Sequence, residues 1–411
     1  MVEDIDSSAS LSFNVDGLFR WIESIFATPS DRTHRIGRRA LKNILLHNQK
    51  TNLLTNAIRL CYVYDSSAKA TQSYFAVISE VLREVPGYLK GVWKIMAVCL
   101  FKLGDENAEV RSQAAKLLRV TEERAYGMSR VQDFEVSISD KTVAVYKRAQ
   151  FQLSKNLSMA YPDQAMFIFS ELTMFFNHTE GKAQRDILHA LLPWIQTIDL
   201  ALEPNGDLLP SSYMVLANLY EITVKFSSKM HSEIQAVWQS LATAPFLGNV
   251  KVILDFIFNQ SLERREQNFV EFGKQIVVFL SETMAGAKLV EALTAYLQPR
   301  LMVITVKEPS LIPDASQFPY VANLTKCVPN SGKPVSYMPR SLLDFIRTYN
   351  PIDRFLLWTP SHDPNGRSFS RTCSRNVGKI NPPAASCVCA LGSLCAISAG
   401  ASKGDADTPY P

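Results

Sequence analysis

The chain has 411 residues, enough for two or three globular domains or one long repeat array. Apolar residues make up 47% of it, so most of the chain should fold. A net charge of +4 is too small to argue for nucleic acid, and no long uncharged apolar run predicts a membrane span. The acidic, polar start "MVEDIDSSASLSFNVDG" lacks the basic and apolar regions of a secretory signal. The seven cysteines form no framework; Cys61 and Cys99 lie in apolar helical stripes as small core residues. A reducing, cytosolic compartment is therefore expected.

Residues 1–18 are expected to be a flexible N-terminus, followed by a short amphipathic helix over 19–26. Asp31 has Ile36 at +5 and Gly37 at +6. Arg32, His34, Arg35, Arg38, Arg39 and Lys42 form a basic run that is either a solvated helix face or a surface for an acidic partner. Residues 52–64 and 74–85 read as two helices divided by the polar turn "DSSAKATQS", with Pro86 ending the second.

Residues 86–124 carry the strongest local pattern. Leu89, Val92, Trp93, Met96, Leu100 and Leu103 recur at the spacing of one helix face, so Trp93 is expected to be buried. Gly104 follows where a left-handed C-cap is favoured. Asp105 is placed to cap the next helix, with Glu109 near the capping-box position. Val110, Ala114, Leu117 and Leu118 then form the apolar stripe, and Arg111, Gln113, Lys116 and Arg119 the wet side. The order Asp105, Val110 at +5 and Arg111 at +6 resembles the turn of HEAT repeats, in which the arginine of one repeat reaches the aspartate of its neighbour. Asp31 and Ile36 read as a weaker copy, 74 residues upstream, about two such periods.

The alternation in "QDFEVSIS" suggests a short extended segment, after which Ser139 or Asp140 caps a helix carrying Val143, Tyr146, Leu153 and Leu157. Residues 165–176 read as a buried helix. Pro193 should kink or split the helix over 184–202. Five further helices are expected over 213–226, 232–242, 250–258, 267–280 and 286–297, with Trp238 in phase with Ile234 and Leu241 and hence buried. Long helices, short links and no strand alternation predict an all-α fold, a HEAT/Armadillo-like α-solenoid of stacked helical hairpins over 19–300. Residues 301–358 read as a proline-rich loop region with one or two helices, one of them over 341–349. Residues 359–411 read as a disordered tail, with a composition that a gene-model artefact would explain.

Chemistry is sparse. Cys373, Cys387, Cys389 and Cys395 have spacings that fit a closed zinc knuckle poorly. There is no HExxH, GxSxG, GxGxxG or GxxxxGK[ST], and Glu263, Arg264, Arg265 and Glu266 read as a solvated cluster at a helix start. No catalytic residue, cofactor, metal or small-molecule substrate is expected.

Four stretches together resemble the Furry-type cell-morphogenesis proteins, the fungal branch in particular. They are "VPGYLKGVWKIMAVCLFKLGDENAEVRSQAAKLLRVTEER", "VQDFEVSISDKTVAVYKRAQFQLSKNLS", "LLPWIQTIDLALEPNGDLLPSSYMVLANLYEITVKFSSKMHSEIQAVWQSLATAP" and "GNVKVILDFIFNQSLERREQNFVEFGKQIVVFL". "PWIQTIDL" and "EIQAVWQSLA" are the specific pieces, and "FPYVANLTKCVP" also resembles a family segment. The resemblance implies a HEAT/Armadillo-like solenoid without a catalytic site. It also implies a scaffold for polarised growth, cytoplasmic and at the cell cortex, working with an NDR-family kinase and its Mob-type coactivator. Family members run to thousands of residues, so this chain is expected to be a central slice, and the family offers no functional residue list. The competing reading is a cargo-binding solenoid of transport type; Trp93, Trp194 and Trp238 lack the repeated Trp–Asn pairing of importin-like grooves, which weighs against it.

Overall fold

The computed structural model describes residues 15–47, 51–63, 68–281 apart from positions 89, 180, 205, 244 and 265, then 289–293 and 312–327. The expectations for 341–349, for the tail from 359 and for the four tail cysteines lie outside these residues. The described residues divide into two compact units, one comprising Met1–Ile198 with Ser316–Val321 and the other Asp199–Ala315 with Ala322–Pro411. Among them, regular secondary structure is helical, and Leu202 and Leu208 pair in an isolated antiparallel bridge. The fold is an all-α solenoid.

The first unit contains α1 (Val15–Phe26), α2 (Asp31–His47), α3 (Thr51–Leu60), α4 (Ala68–Glu84), α5 (Val92–Lys102) and α6 (Ala108–Tyr126). It continues with α7 (Glu135–Ser139), α8 (Val143–Ala160), α9 (Ala165–Phe176) and α10 (Gly181–Ile195). Hairpin partners pack on each other, as α1 on α2, α3 on α4, α5 on α6 and α9 on α10. Successive hairpins stack through α2 on α4, α4 on α6, α5 on α9 and α8 on α10, with α7 bridging α6 and α8. Such nearest-neighbour burial is what makes an array of individually unstable hairpins fold. Tyr62 links the layers, its ring stacked at 5.1 Å on Phe101 and at 4.3 Å on Phe175. Pro193 falls in the last turn of α10, which ends two residues later at Ile195.

The second unit holds α11 (Pro210–Phe226), α12 (His231–Leu241), α13 (Asn249–Arg264) and α14 (Gln267–Ser281), with a single turn of helix at Leu324–Cys327 against α11. Arg264 closes α13 rather than opening a helix, its guanidinium donating to Gln260 at 3.2 Å. Asn249 staples the unit: it accepts from the Leu200 amide and donates to the Leu241 carbonyl, both at 2.8 Å.

The two specific sequence pieces have a packing explanation. Trp194 and Trp238 are both fully buried. Each indole N–H donates at 2.9 Å to a buried hydroxyl, that of Ser154 and that of Thr223 respectively. A buried tryptophan needs such a partner, because an unsatisfied N–H would offset much of its apolar contribution.

Three local expectations are corrected. Residues 132–139 form a 3₁₀ turn, Gln132–Phe134, and the short helix α7, with only Ile138 of α7 buried. The alternating pattern there reflects a short helix resting on its neighbours. Trp93 is half-buried, its ring stacked on Phe167 at 5.6 Å with the Lys94 ammonium 5.1 Å from its centre. It sits at the start of α5, before the fully buried turns from Met96 onwards. Asp31 and Ile36 are not a copy of the Asp105 turn: Ile36 is 60% exposed, and Gly37 occupies the buried position. A Cβ on Gly37 would fall 2.7 Å from Ile25 and 2.8 Å from Phe26, so that glycine admits α1.

Candidate functional site

Two groups of residues stand out in the sequence, the turn at Gly104–Arg111 and the basic face of α2. The turn is more elaborate than a capped hairpin. Gly104 keeps a negative φ, since it is absent from the glycines with left-handed backbone. Its role is close approach. A Cβ there would meet the Lys147 ammonium at 2.7 Å and the Gln150 amide at 2.9 Å. Those two side chains reach across from α8 to the carbonyls of Gly104 (3.0 Å) and Leu100 (2.8 Å), which the end of α5 leaves without helical partners.

Asp105 does not cap α6; Asn107 does, accepting from the Glu109 amide at 2.9 Å. Asp105 instead organises the turn. Its carboxylate accepts from the Asn107 amide at 3.0 Å and from Gln72 of α4 at 2.8 Å. Its second oxygen lies 3.6 Å from the ammonium of Lys102, which is itself buried and donates to Thr71 at 3.2 Å. Val110 is buried as the pattern expects.

Arg111 is corrected most strongly. It is 1% exposed, not on the wet side. Its guanidinium donates to the carbonyls of Asp105 and Glu106 at 2.8 Å, and to those of Ile138 (2.7 Å) and Asp140 (2.5 Å) in the following turn. The plane lies 3.8 Å from the centre of the Tyr146 ring. Burial lowers its pKa from the ordinary value, opposed by Tyr146, Asp105 and Asp140. Arg111 thus reaches Asp140 through a main-chain oxygen and not through its carboxylate. Five donors in a planar fork suit four carbonyls and an aromatic face; an ammonium would not.

Tyr146 is legible in the sequence only as one residue of a helix stripe, and Lys147 is not singled out at all. One signal was available: Tyr146 stands six residues after Asp140, the position Arg111 holds relative to Asp105. Lys147 also pairs with Asp186 of α10, and burial depresses the lysine and raises the aspartate. Lys182 of α10 pairs with Glu106. The turns of three successive elements are therefore tied by charge and hydrogen bonds into one ladder.

On α2 the basic residues separate. Arg32, Arg35 and Arg39 are exposed and share a face at three- and four-residue steps; Arg38 is half-buried. Lys42 faces α4, its ammonium 3.0 Å from Glu80 and 2.5 Å from Glu84, and those carboxylates raise its pKa. His34 points inward and is 1% exposed, bonded to Ser73 and to the Thr28 carbonyl, both at 2.8 Å, and stacked on Phe26. The inward histidine and Lys42 fix the rotation of α2, which leaves three arginines and the exposed Ile36 pointing outward.

Among the described residues no group of three or more His, Cys, Asp or Glu side chains could hold a metal ion. No described helix is long and apolar enough to cross a membrane. The side-chain arrangement at the Gly104–Arg111 turn braces neighbouring hairpins against one another.

A solenoid of stacked helical hairpins braced at its turns is the class these features define. The family model described as "Cell morphogenesis central region" matches residues 28–304, and the chain belongs to that family. It is 28% identical to "Cell polarity protein mor2" of Schizosaccharomyces pombe over 80% of this chain. It is 23% identical to "Cell morphogenesis protein PAG1" of Saccharomyces cerevisiae over 83% of this chain. The matched region is 15% and 14% of those two relatives, so the chain spans a small part of their length.

Proposed function

We propose that this region is a non-catalytic scaffold in cell morphogenesis and polarised growth, holding an NDR-family kinase and its Mob-type coactivator in the cytoplasm near the cell cortex. Its relatives are polarity and morphogenesis proteins, which supports the morphogenesis part of this reading. The observation that carries the partner surface is the outward face of Arg32, Arg35 and Arg39, set by a helix whose other side is locked inward. Such a face attracts an acidic surface and speeds its capture, and its contribution weakens with salt. Lys42, held by two glutamates, is left out of that surface.

The test is co-precipitation from cells of the full-length protein carrying Arg32→Glu, Arg35→Glu and Arg39→Glu. Kinase recovery falls at least tenfold while protein abundance is unchanged, because exposed substitutions away from packing features rarely move stability by more than about 0.5 kcal/mol. Normal recovery and normal cell shape would remove this face as the site. Failure of the wild-type protein to recover any such kinase would remove the scaffold reading itself.

A further inference from the structure

Helix α8 has one face packed and one face open. Tyr146, Leu153 and Leu157 are buried among its neighbours, and Lys147 turns to Asp186 of α10. On the outward side Val145, Arg148, Gln152, Lys155 and Met159 follow at steps of three, four, three and four residues, and all five are exposed. That alternation, kept up over about four turns, is the seam along which a second helix lies in a coiled coil. Its order is apolar, cation, amide, cation, apolar. The Gln152 amide is held by donating to Asn156 at 3.1 Å. A lone amide in such a seam fixes the register of the pairing. The sequence of α8 contains no carboxylate. Lys147 finds its counter-charge on α10, whereas the Arg148 and Lys155 side chains make no hydrogen bond or ion pair among the described residues.

Two unpaired cations about 10 Å apart along one helix face select among partners by charge. A second copy of α8 in this seam would set Arg148 against Arg148 if parallel, and Arg148 against Lys155 if antiparallel about Gln152. Both pairings oppose like charges, which disfavours self-association. A nucleic-acid backbone or a plane of anionic lipid would run on past the ends of α8. There it would meet the exposed carboxylates of Asp140, before the helix, and Asp163, after it. A helix no longer than the 18 residues of α8 avoids both. We propose that the outward face of α8 is a docking surface for an acidic amphipathic helix of a partner protein. That helix sets carboxylates seven residues apart against Arg148 and Lys155, and apolar side chains against Val145 and Met159. The cations choose the partner and speed its capture, and the apolar ends add contact that salt does not weaken. This inference stands apart from the kinase reading and uses none of the α2 surface.

The probe is a fluorescent synthetic helix of about three heptads, with glutamate placed to oppose Arg148 and Lys155 and leucine to oppose Val145 and Met159. A control peptide has the same composition in an order that breaks the heptad. At low ionic strength the full chain binds the heptad peptide at least tenfold more tightly than the control. Arg148→Glu with Lys155→Glu removes that binding, and a peptide carrying lysine in place of the two glutamates binds the reversed chain but not the wild type. Reversing Arg32, Arg35 and Arg39 on α2 leaves the affinity unchanged. Should the reversed chain lose helical circular dichroism, Arg148→Gln with Lys155→Gln takes its place and is expected to weaken binding about tenfold. Equal binding of the two peptides would overturn the proposal, as would no binding at low salt or binding indifferent to the α8 substitutions. Phosphatidylserine vesicles and double-stranded RNA are titrated in parallel. Binding of either that needs Arg148 and Lys155, where the heptad peptide has no advantage over its control, would give the face to that polyanion and overturn the proposal equally.

Discussion

At the residue scale, burial of charge sets the largest effects. Lys102 is fully buried, and Asp105 and the Thr71 hydroxyl are among the groups that compensate its charge. Removing the partner of a buried charge costs about 3–5 kcal/mol, more than loss of a surface cap. Asp105→Ala should therefore destabilise the chain by about 3 kcal/mol in urea denaturation. Adding Lys102→Met should recover part of that loss; strict additivity of the two substitutions would show that they do not interact.

Glu171 of α9 is 3% exposed, and burial raises its pKa to about 7, with Lys94 opposing. The folded pKa lies above the unfolded one, so the folded state holds the extra proton between about 4.5 and 7. Stability from the protonated form is complete below the unfolded pKa and is lost as pH rises through the folded one. Glu171→Gln, which keeps the neutral shape, should match the wild type near pH 4, below the unfolded pKa. At pH 8 it should exceed it by on the order of 2 kcal/mol. An equal difference at both pH values would assign the effect to packing instead.

At the element scale, Arg111 joins one hairpin to the next. It holds two carbonyls of its own turn and two at the C-terminal end of α7, those of Ile138 and Asp140. Arg111→Ala leaves these buried carbonyls short of donors and uncovers Tyr146; a loss of about 3 kcal/mol is expected. Hydrogen exchange should quicken in α7 and the first turn of α8 before α5. Uniform acceleration across the unit would mean that the arginine stabilises the array without coupling its neighbours.

Helix positions were legible because apolar residues repeat every three or four places, and Ala165–Phe176 falls on the predicted bounds. What was not legible was depth. Arg111 has the charge of a surface residue and the surroundings of a core one, and only the arrival of α7 and α8 decides between them. Gly104 was misread for a similar reason: its use depends on Lys147 and Gln150, forty residues and more away in sequence. Trp93 kept its phase but lies at a helix start, where the stripe is not yet covered.

At the scale of the whole molecule, the two units are built from the same ingredients, buried tryptophans satisfied by hydroxyls and turns held by side chains. The described part offers long helix faces for contact, and binding distributed over several repeats is the use such an array favours. The basic face of α2 is tested most directly by titrating the purified chain against a purified NDR-family kinase with its Mob-type coactivator at several salt concentrations. Saturable binding is predicted, weakening steadily as salt rises and abolished by reversing Arg32, Arg35 and Arg39, while Lys42→Ala binds as the wild type does. Absence of binding at low salt, or affinity indifferent to both salt and the three reversals, would contradict it.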